Sequence, residues 1–188
     1  MLTFIRYDLR GREKIEKETS YIYVSNHTSF LDIPGVRLLI PGEFRPIAKK
    51  ELLKIPVFGF IVRAGTVVVD RSSAQSRKQS METLREILKG GISILVFAEG
   101  TQNRTKEIFQ PFKDGAFRIA IDSQLPIVPV VVVGAGPLMP PGKMEIKPGK
   151  IKVIAGEPIP VEGLTTEDTQ ALKQKVLDSM LAIYKANI

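Results

Sequence analysis

The strongest constraint on the fold is a pair of strongly apolar segments, at residues 92–97, where Ser93 is the single polar residue, and at 127–133. Continuous runs of this kind are typical of strands buried on both faces, because a strand with one face in water alternates apolar and polar residues. Residues 115–123, between the two runs, have the composition of a short helix. A buried strand, a helix and a second buried strand predict a parallel sheet flanked by helices.

The rest of the chain repeats this alternation. The patterns predict further strands at 21–25, 46–48, 66–69, 144–147 and 151–154, and helices at 29–40, 51–62 and 73–89. A capping signature at Thr165 and Asp168 predicts a C-terminal helix over 165–187. We therefore predict an α/β protein with a mostly parallel or mixed central sheet, forming a single domain over 1–188 in which residues 1–20 are an approach segment.

Composition narrows the classes of partner. The chain has 27 Lys and Arg against 20 Asp and Glu, a net charge of +7, which attracts phosphate esters, anionic lipid headgroups or nucleic acid. It has no Trp, which disfavours a module that binds single strands by aromatic stacking. It has no Cys, which excludes disulfides, thiolate metal sites and a cysteine nucleophile.

Three polar residues follow three of the predicted strands. His27 comes after 21–25, Arg71 after 66–69, and Glu99 after 92–97. Because the carboxyl ends of parallel strands meet at one edge of a sheet, we expect a base, a cation and a carboxylate to lie along the same rim.

The first group joins the single histidine to a carboxylate, since Asp32 lies five positions after His27. Five positions correspond to about 140° around a helix, so both residues cannot share one helical face. We expect His27 in the turn and Asp32 in the first helical turn, reaching back to the ring and leaving the other nitrogen free to accept a proton. Alternatively, Ser29 and Asp32 form a capping box, and His27 is only a buried polar residue.

The second and third groups each have two interpretations. Arg71 leaves a buried strand with donors suited to a phosphate, or it forms a salt bridge with Asp70 or Glu99. The loop Glu99-Gly100-Thr101 offers backbone N–H groups to an anion or oxyanion, or it is a turn whose carboxylate pairs with a neighbouring cation.

The combination is much more specific than its parts. The order H-x-x-x-x-D at residues 27–32, G-x-x-x-x-D-R at 65–71, E-G-T at 99–101 and an apolar strand with Pro129 resembles the four-block signature of the glycerolipid acyltransferases. The resemblance covers roughly residues 10 to 160. It implies transfer of a fatty acyl group from acyl-CoA or acyl-carrier protein to the free hydroxyl of 1-acyl-glycerol-3-phosphate, in phospholipid biosynthesis.

The resemblance also implies roles for individual residues. His27 would deprotonate the acceptor hydroxyl, with Asp32 orienting the ring, and Pro129 would shape the acyl site. The acceptor phosphate would be held by Arg71 with Glu99, Gly100 and Thr101. No cofactor and no metal are implied, and the acyl thioester is a co-substrate.

Two positions depart from the family pattern: Ala98 stands where the family usually has Pro, and Gln102 where it usually has Arg. The loss of that Arg lowers the expected affinity for phosphate unless Arg104 or Lys113 replaces it. Alternative acceptors are therefore glycerol 3-phosphate or a lyso-aminolipid. A more distant alternative is a non-catalytic module that binds anionic lipid.

The implied setting is the cytoplasmic face of the inner membrane. No apolar run is long enough to cross a bilayer, because the longest candidate, 52–69, is interrupted by Lys54, Pro56 and Arg63. The resemblance implies that any membrane segment lies upstream of this chain. Expected partners are lysophospholipid, acyl thioester, acyl-carrier protein and an anionic membrane surface, and not nucleic acid. Residues 52–62 are interpreted as a core helix between strands, with peripheral docking on a membrane as the alternative.

Overall fold

In the computed structural model, which describes residues 4–54, 65–70, 73–143 and 145–188, seven strands form one sheet. The strand order across the sheet is β1-β7-β6-β2-β5-β3-β4. The strands are β1 (Ile5–Arg10), β2 (Ile22–Ser25), β3 (Phe44–Lys49), β4 (Val67–Val69), β5 (Ser93–Phe97), β6 (Ile127–Val133) and β7 (Gly149–Ala155).

The sheet is mixed, which is one of the two forms predicted from the sequence, the other being mostly parallel. Strands β2 to β6 are mutually parallel, whereas β7 is antiparallel to β6. Strand β1 pairs in parallel with β7 at the edge of the sheet. The N-terminal segment therefore contributes a strand that the sequence analysis did not predict, because its charged residues hide the alternation of a half-exposed edge strand.

Helices cover both faces of the sheet. The five α-helices of the described ranges are α1 (Asp32–Leu39), α2 (Ala74–Lys89), α3 (Gly115–Ser123), α4 (Ala135–Leu138) and α5 (Thr169–Lys185). One apolar cluster joins α2, α3 and α5 to one face of the strands, and a second joins α1 to the other face. None of the helices in the described ranges is long and apolar enough to span a bilayer.

Some predicted boundaries differ from the structure. The strand predicted at 144–147 is wrong, because residues 145–148 have no strand structure and β7 begins only at Gly149. The helix predicted over 51–62 begins as a 3₁₀ turn at Lys50–Lys54, and residues 55–64 lie outside the described residues. The predicted capping box at Thr165 and Asp168 is confirmed, with α5 following directly.

The predicted rim forms at the carboxyl ends of the parallel strands. Strands β2 and β5 pair side by side, so His27 and Glu99 emerge two residues beyond neighbouring strand ends. Strand β6 ends on the other side of β2 and leads into α4 at the same edge. This edge holds the polar groups that the sequence analysis singled out.

Candidate active site

His27 and Asp32 form the pair that the sequence spacing predicts. The Nδ1 atom of His27 lies 2.9 Å from Oδ2 of Asp32. The Asp32 side chain is fully buried, whereas 13% of the His27 side chain is exposed. With Nδ1 engaged, the imidazole presents Nε2 as the nitrogen available to a substrate.

The backbone around the pair holds the carboxylate in place. Oδ2 of Asp32 also accepts the N–H groups of Thr28 and Ser29, at 2.6 and 2.8 Å. Because three donors converge on one oxygen, the carboxylate has a single orientation toward the ring. Asp32 begins α1, so the chain doubles back within one turn to bring the carboxylate to the histidine.

The alternative capping box of Ser29 and Asp32 forms in part. Asp32 accepts the N–H of Ser29, but the Ser29 hydroxyl accepts the N–H of Leu31, at 3.2 Å, and not that of Asp32. The Ser29 hydroxyl also donates to the carbonyl of Met139, 2.8 Å away. Ser29 therefore ties the turn to the segment after β6, and Asp32 remains dedicated to the histidine and its neighbouring N–H groups.

Glu99 lies behind His27. It is 3% exposed, and its two oxygens accept the backbone N–H groups of His27 at 2.9 Å and of Gln110 at 2.8 Å. Burial raises the pKa of the carboxyl, while the two N–H donors and the nearby histidine act in the opposite direction. Glu99 forms no salt bridge with any described cation. Within the described ranges this rules out the alternative of a turn whose carboxylate pairs with a neighbouring cation.

The structure thus gives Glu99 a different position from the predicted one. The sequence analysis placed it with the residues that touch the acceptor phosphate, but it does not line the cavity beside His27. Its carboxylate is used to satisfy buried backbone donors, as buried polar groups generally require. The following residues of the same loop, Gly100 and Thr101, do line the cavity.

A cavity of about 570 Å³ opens beside the His27 ring. Phe97 lines it and stacks on the imidazole, with the ring centroids 4.1 Å apart. The described residues that line it are mostly apolar and include Phe30, Ile33, Pro46, Ile47, Leu52, Val69 and Val96. Its shape and lining suit an acyl chain whose reacting end lies at the histidine.

Cations lie at the edge of this cavity. Lys49 and Arg104 line it, and neither has an ion-pair partner among the described residues. Lys113 is exposed beside Gly100 but does not line the cavity. Arg71, the predicted phosphate ligand, lies outside the described residues.

Pro129 is not brought to the cavity. It is buried in the middle of β6, beside Val24 of β2, and its carbonyl accepts the N–H of Gly156. It is not among the described residues that line the space next to His27. The predicted role in shaping an acyl site therefore has no support in its position.

Tyr7 and Asn26 contribute to the site although the sequence analysis did not select them. Tyr7 of β1 donates its hydroxyl to the carbonyl of Leu31, 3.0 Å away, immediately before Asp32. Burial, with the Asp32 carboxylate nearby, raises the pKa of Tyr7. The Asn26 side chain exchanges two hydrogen bonds with the backbone of Val132, which fixes the end of β2 against β6. The adjacency of Asn26 to the only histidine was the one signal available in the sequence.

Comparison with known proteins agrees with this geometry. A family model described as Acyltransferase matches residues 6–133. The chain is 35% identical over 183 residues to 1-acyl-sn-glycerol-3-phosphate acyltransferase alpha of Homo sapiens, covering 96% of this chain and 64% of that protein. It is 32% identical over 170 residues to the human beta protein, covering 89% of this chain and 61% of that one.

A solved structure has the same architecture. The crystal structure of the 1-acyl-sn-glycerophosphate (LPA) acyltransferase PlsC from Thermotoga maritima matches with a TM-score of 0.77 and 30% identity, covering 94% of this chain and 70% of that one. Together with the family model, these matches show that the chain belongs to the glycerolipid acyltransferase family.

Proposed function

We propose that the protein transfers a fatty acyl group from an acyl thioester to the free hydroxyl of 1-acyl-glycerol-3-phosphate. The observation that carries this proposal is the 2.9 Å contact between Nδ1 of His27 and Oδ2 of Asp32, at the edge of an apolar cavity that Arg104 also lines. The names of the similar human and Thermotoga proteins support this acceptor. Because the chain spans 64% of the length of the human alpha protein, the activity is a proposal for the chain as given.

The proposed reaction needs no acyl-enzyme. Nε2 of His27 takes the proton from the acceptor hydroxyl while the oxygen attacks the thioester carbonyl carbon. The C–S bond then breaks, and the leaving thiolate takes the proton back from the imidazolium. The products are an ester and a free thiol, and His27 returns to its neutral form. Asp32 holds the ring and stabilises the transient imidazolium.

The phosphate of the acceptor is proposed to lie at the cavity edge. Gly100 and Thr101 form a tight turn there, and Gly100 has a left-handed φ of 73° that favours glycine. Arg104 supplies a guanidinium next to this loop, and it has no ion-pair partner in the part of the chain that the structure describes. Arg71 and Lys113 remain predicted contributors to the same phosphate site.

The proposal is tested by incubating the purified protein with acyl-CoA and lysophosphatidate and measuring free CoA. We expect CoA release that depends on the acceptor. Gln102, in place of the usual Arg, favours a different acceptor, glycerol 3-phosphate or a lyso-aminolipid, as the second candidate, and an acceptor panel decides between them. If glycerol 3-phosphate or a lyso-aminolipid turns over fastest, the acceptor assignment is wrong, and if none reacts, the enzyme proposal fails.

Tyr7 is proposed to position the catalytic pair through the backbone of Leu31. Tyr7→Phe removes one hydrogen bond while keeping the ring that packs against Gly35. We expect kcat to fall about fivefold with little change in KM, since a single neutral hydrogen bond contributes about 1 kcal/mol. Tyr21→Phe also removes one hydrogen bond, from the N–H of Glu16, at the start of β2 and away from His27, and is the matched control. Equal effects of both variants on kcat would contradict the positioning role.

We further propose that the cavity edge docks on an anionic membrane surface at the cytoplasmic face. Strand β1 begins at this edge, where Phe4 is 65% and Ile146 is 38% exposed. Lys147, next to Ile146, is exposed and has no ion-pair partner among the described residues, and apolar groups beside such a cation are suited to an interface with anionic lipid. Vesicle flotation should show binding to anionic vesicles that weakens with salt. Equal binding to neutral vesicles would contradict the electrostatic part.

A further inference from the structure

A second cavity lies on the other side of the catalytic turn. It is an open groove of about 510 Å³. Thr28 lies at its floor, the loop 103–108 forms one wall, and the segment 132–141 forms the other. The function proposed above makes no use of this space.

The groove and the first cavity are neighbours. The ridge between them is formed by Arg104, which lines both, and by His27 and Thr28, which are consecutive residues lining the cavity and the groove respectively. The ridge is held in place by backbone contacts, because the N–H of Asn103 donates to the carbonyl of His27 at 2.6 Å. A chain lying in the groove can therefore pass Arg104 into the apolar cavity, which the His27 ring lines.

The two walls of the groove differ in chemistry. The wall formed by 132–141 is mostly apolar, with Val132, Val133 and Pro137 in contact with the space. The loop opposite carries Arg104, Lys106 and Glu107, and neither cation has an ion-pair partner among the described residues. Such a surface suits a narrow, partly apolar chain that ends in an anionic group.

We propose that this groove binds the phosphopantetheine arm of the acyl donor, with Lys106 contacting its phosphate. This inference rests on the proposed acyl transfer. Acyl-CoA and acyl-carrier protein present the same arm, so the groove recognises the chemistry that both donors share.

Two substrates that react at one histidine must bring their reacting atoms together in a defined geometry. The apolar cavity holds the fatty acyl chain of the donor, and the acceptor phosphate at the cavity edge brings the acceptor hydroxyl to Nε2 of His27. The arm in the groove carries the thioester across the ridge into the cavity. This arrangement places the attacking oxygen next to both the base and the carbonyl carbon.

The test compares donor and acceptor kinetics in the Lys106→Glu variant. We expect KM for acyl-CoA to rise about tenfold, because the variant loses one charge-assisted contact with the phosphate and places a negative charge there instead. KM for lysophosphatidate should stay within about twofold. Acyl-phosphopantetheine should show the same rise, and acyl-pantetheine, which lacks the phosphate, should show almost none. Lys175→Glu, on the exposed face of α5, is the charge-matched control.

A steric variant tests the groove without changing charge. A Cβ at Gly136 would lie 3.4 Å from Cβ of Thr28, so Gly136→Ala is expected to fold and to narrow the groove beside Thr28. It should raise KM for acyl-CoA and for acyl-carrier protein. If only one of these donors is affected, the groove serves a feature that the other donor lacks, and the proposal of a shared arm is wrong.

The experiments distinguish a failure of the proposed function from a failure of the proposed donor site. If the wild-type protein releases no CoA, the proposed function itself fails. If the wild type is active but Lys106→Glu changes KM for lysophosphatidate instead of the donor, or changes neither, the groove is not the donor site.

Discussion

Replacing His27 with alanine is expected to lower kcat for acyl transfer by a factor of about 10² to 10⁴, the usual range for loss of a general base. The physical reason is that His27 is the only histidine of the chain, and its ring lies at the edge of the apolar cavity with Nδ1 already engaged by Asp32. No other described residue that lines the cavity is a neutral base. The measurement is thiol release under saturating acyl-CoA and lysophosphatidate.

The variant also needs a control for folding, because the imidazole stacks on Phe97. His27→Gln keeps much of the side-chain volume and a polar group, but it has no basic nitrogen. Both variants should retain a cooperative thermal transition and lose activity together. A near-wild-type rate for either variant, in protein that unfolds cooperatively, would end the proposed mechanism.

Replacing Asp32 with asparagine is the second large effect, with an expected loss of about 10² to 10⁴ in kcat. Oδ2 of Asp32 accepts from His27 Nδ1 and from the N–H groups of Thr28 and Ser29. An amide at this place removes the charge that stabilises the imidazolium, and its NH₂ group favours the wrong tautomer of the ring. KM for the acceptor should change little, because Asp32 is fully buried and does not line the cavity.

Asp178→Asn provides the matched control, since Asp178 is exposed on α5 and contacts only Gln174 among the described side chains. It should leave kcat unchanged. If Asp32→Asn instead raised KM and left kcat intact, Asp32 would be acting on substrate binding, and the orienting role would be contradicted.

The main features of fold and site were predictable because they depend on local patterns. Apolar runs at 92–97 and 127–133 predicted buried strands, and these are β5 and β6. The spacing of His27 and Asp32 predicted a carboxylate in the first helical turn reaching back to the ring, and the 2.9 Å contact has that form. Both inferences use only short-range geometry, namely burial on two faces and the turn of a helix.

Strand β1 and the strand predicted at 144–147 show where local patterns fail. A half-exposed edge strand such as β1 is recognisable only through its pairing with β7, which is about 140 residues away in the chain. Conversely, residues 145–148 have a suitable composition but no partner strand. Whether an edge segment pairs depends on distant neighbours that the segment itself does not encode.

By itself, the sequence determined the α/β class, the strand-to-helix turn at His27 and Asp32, and the family. Only the tertiary structure decided that Glu99 supports the His27 backbone from behind, that Pro129 is enclosed in the sheet, and that two cavities flank one ridge. The reason is physical. Residue type and spacing define which groups are available and how the chain turns locally, but the direction in which a side chain points is set by the strands that pair on either side of it.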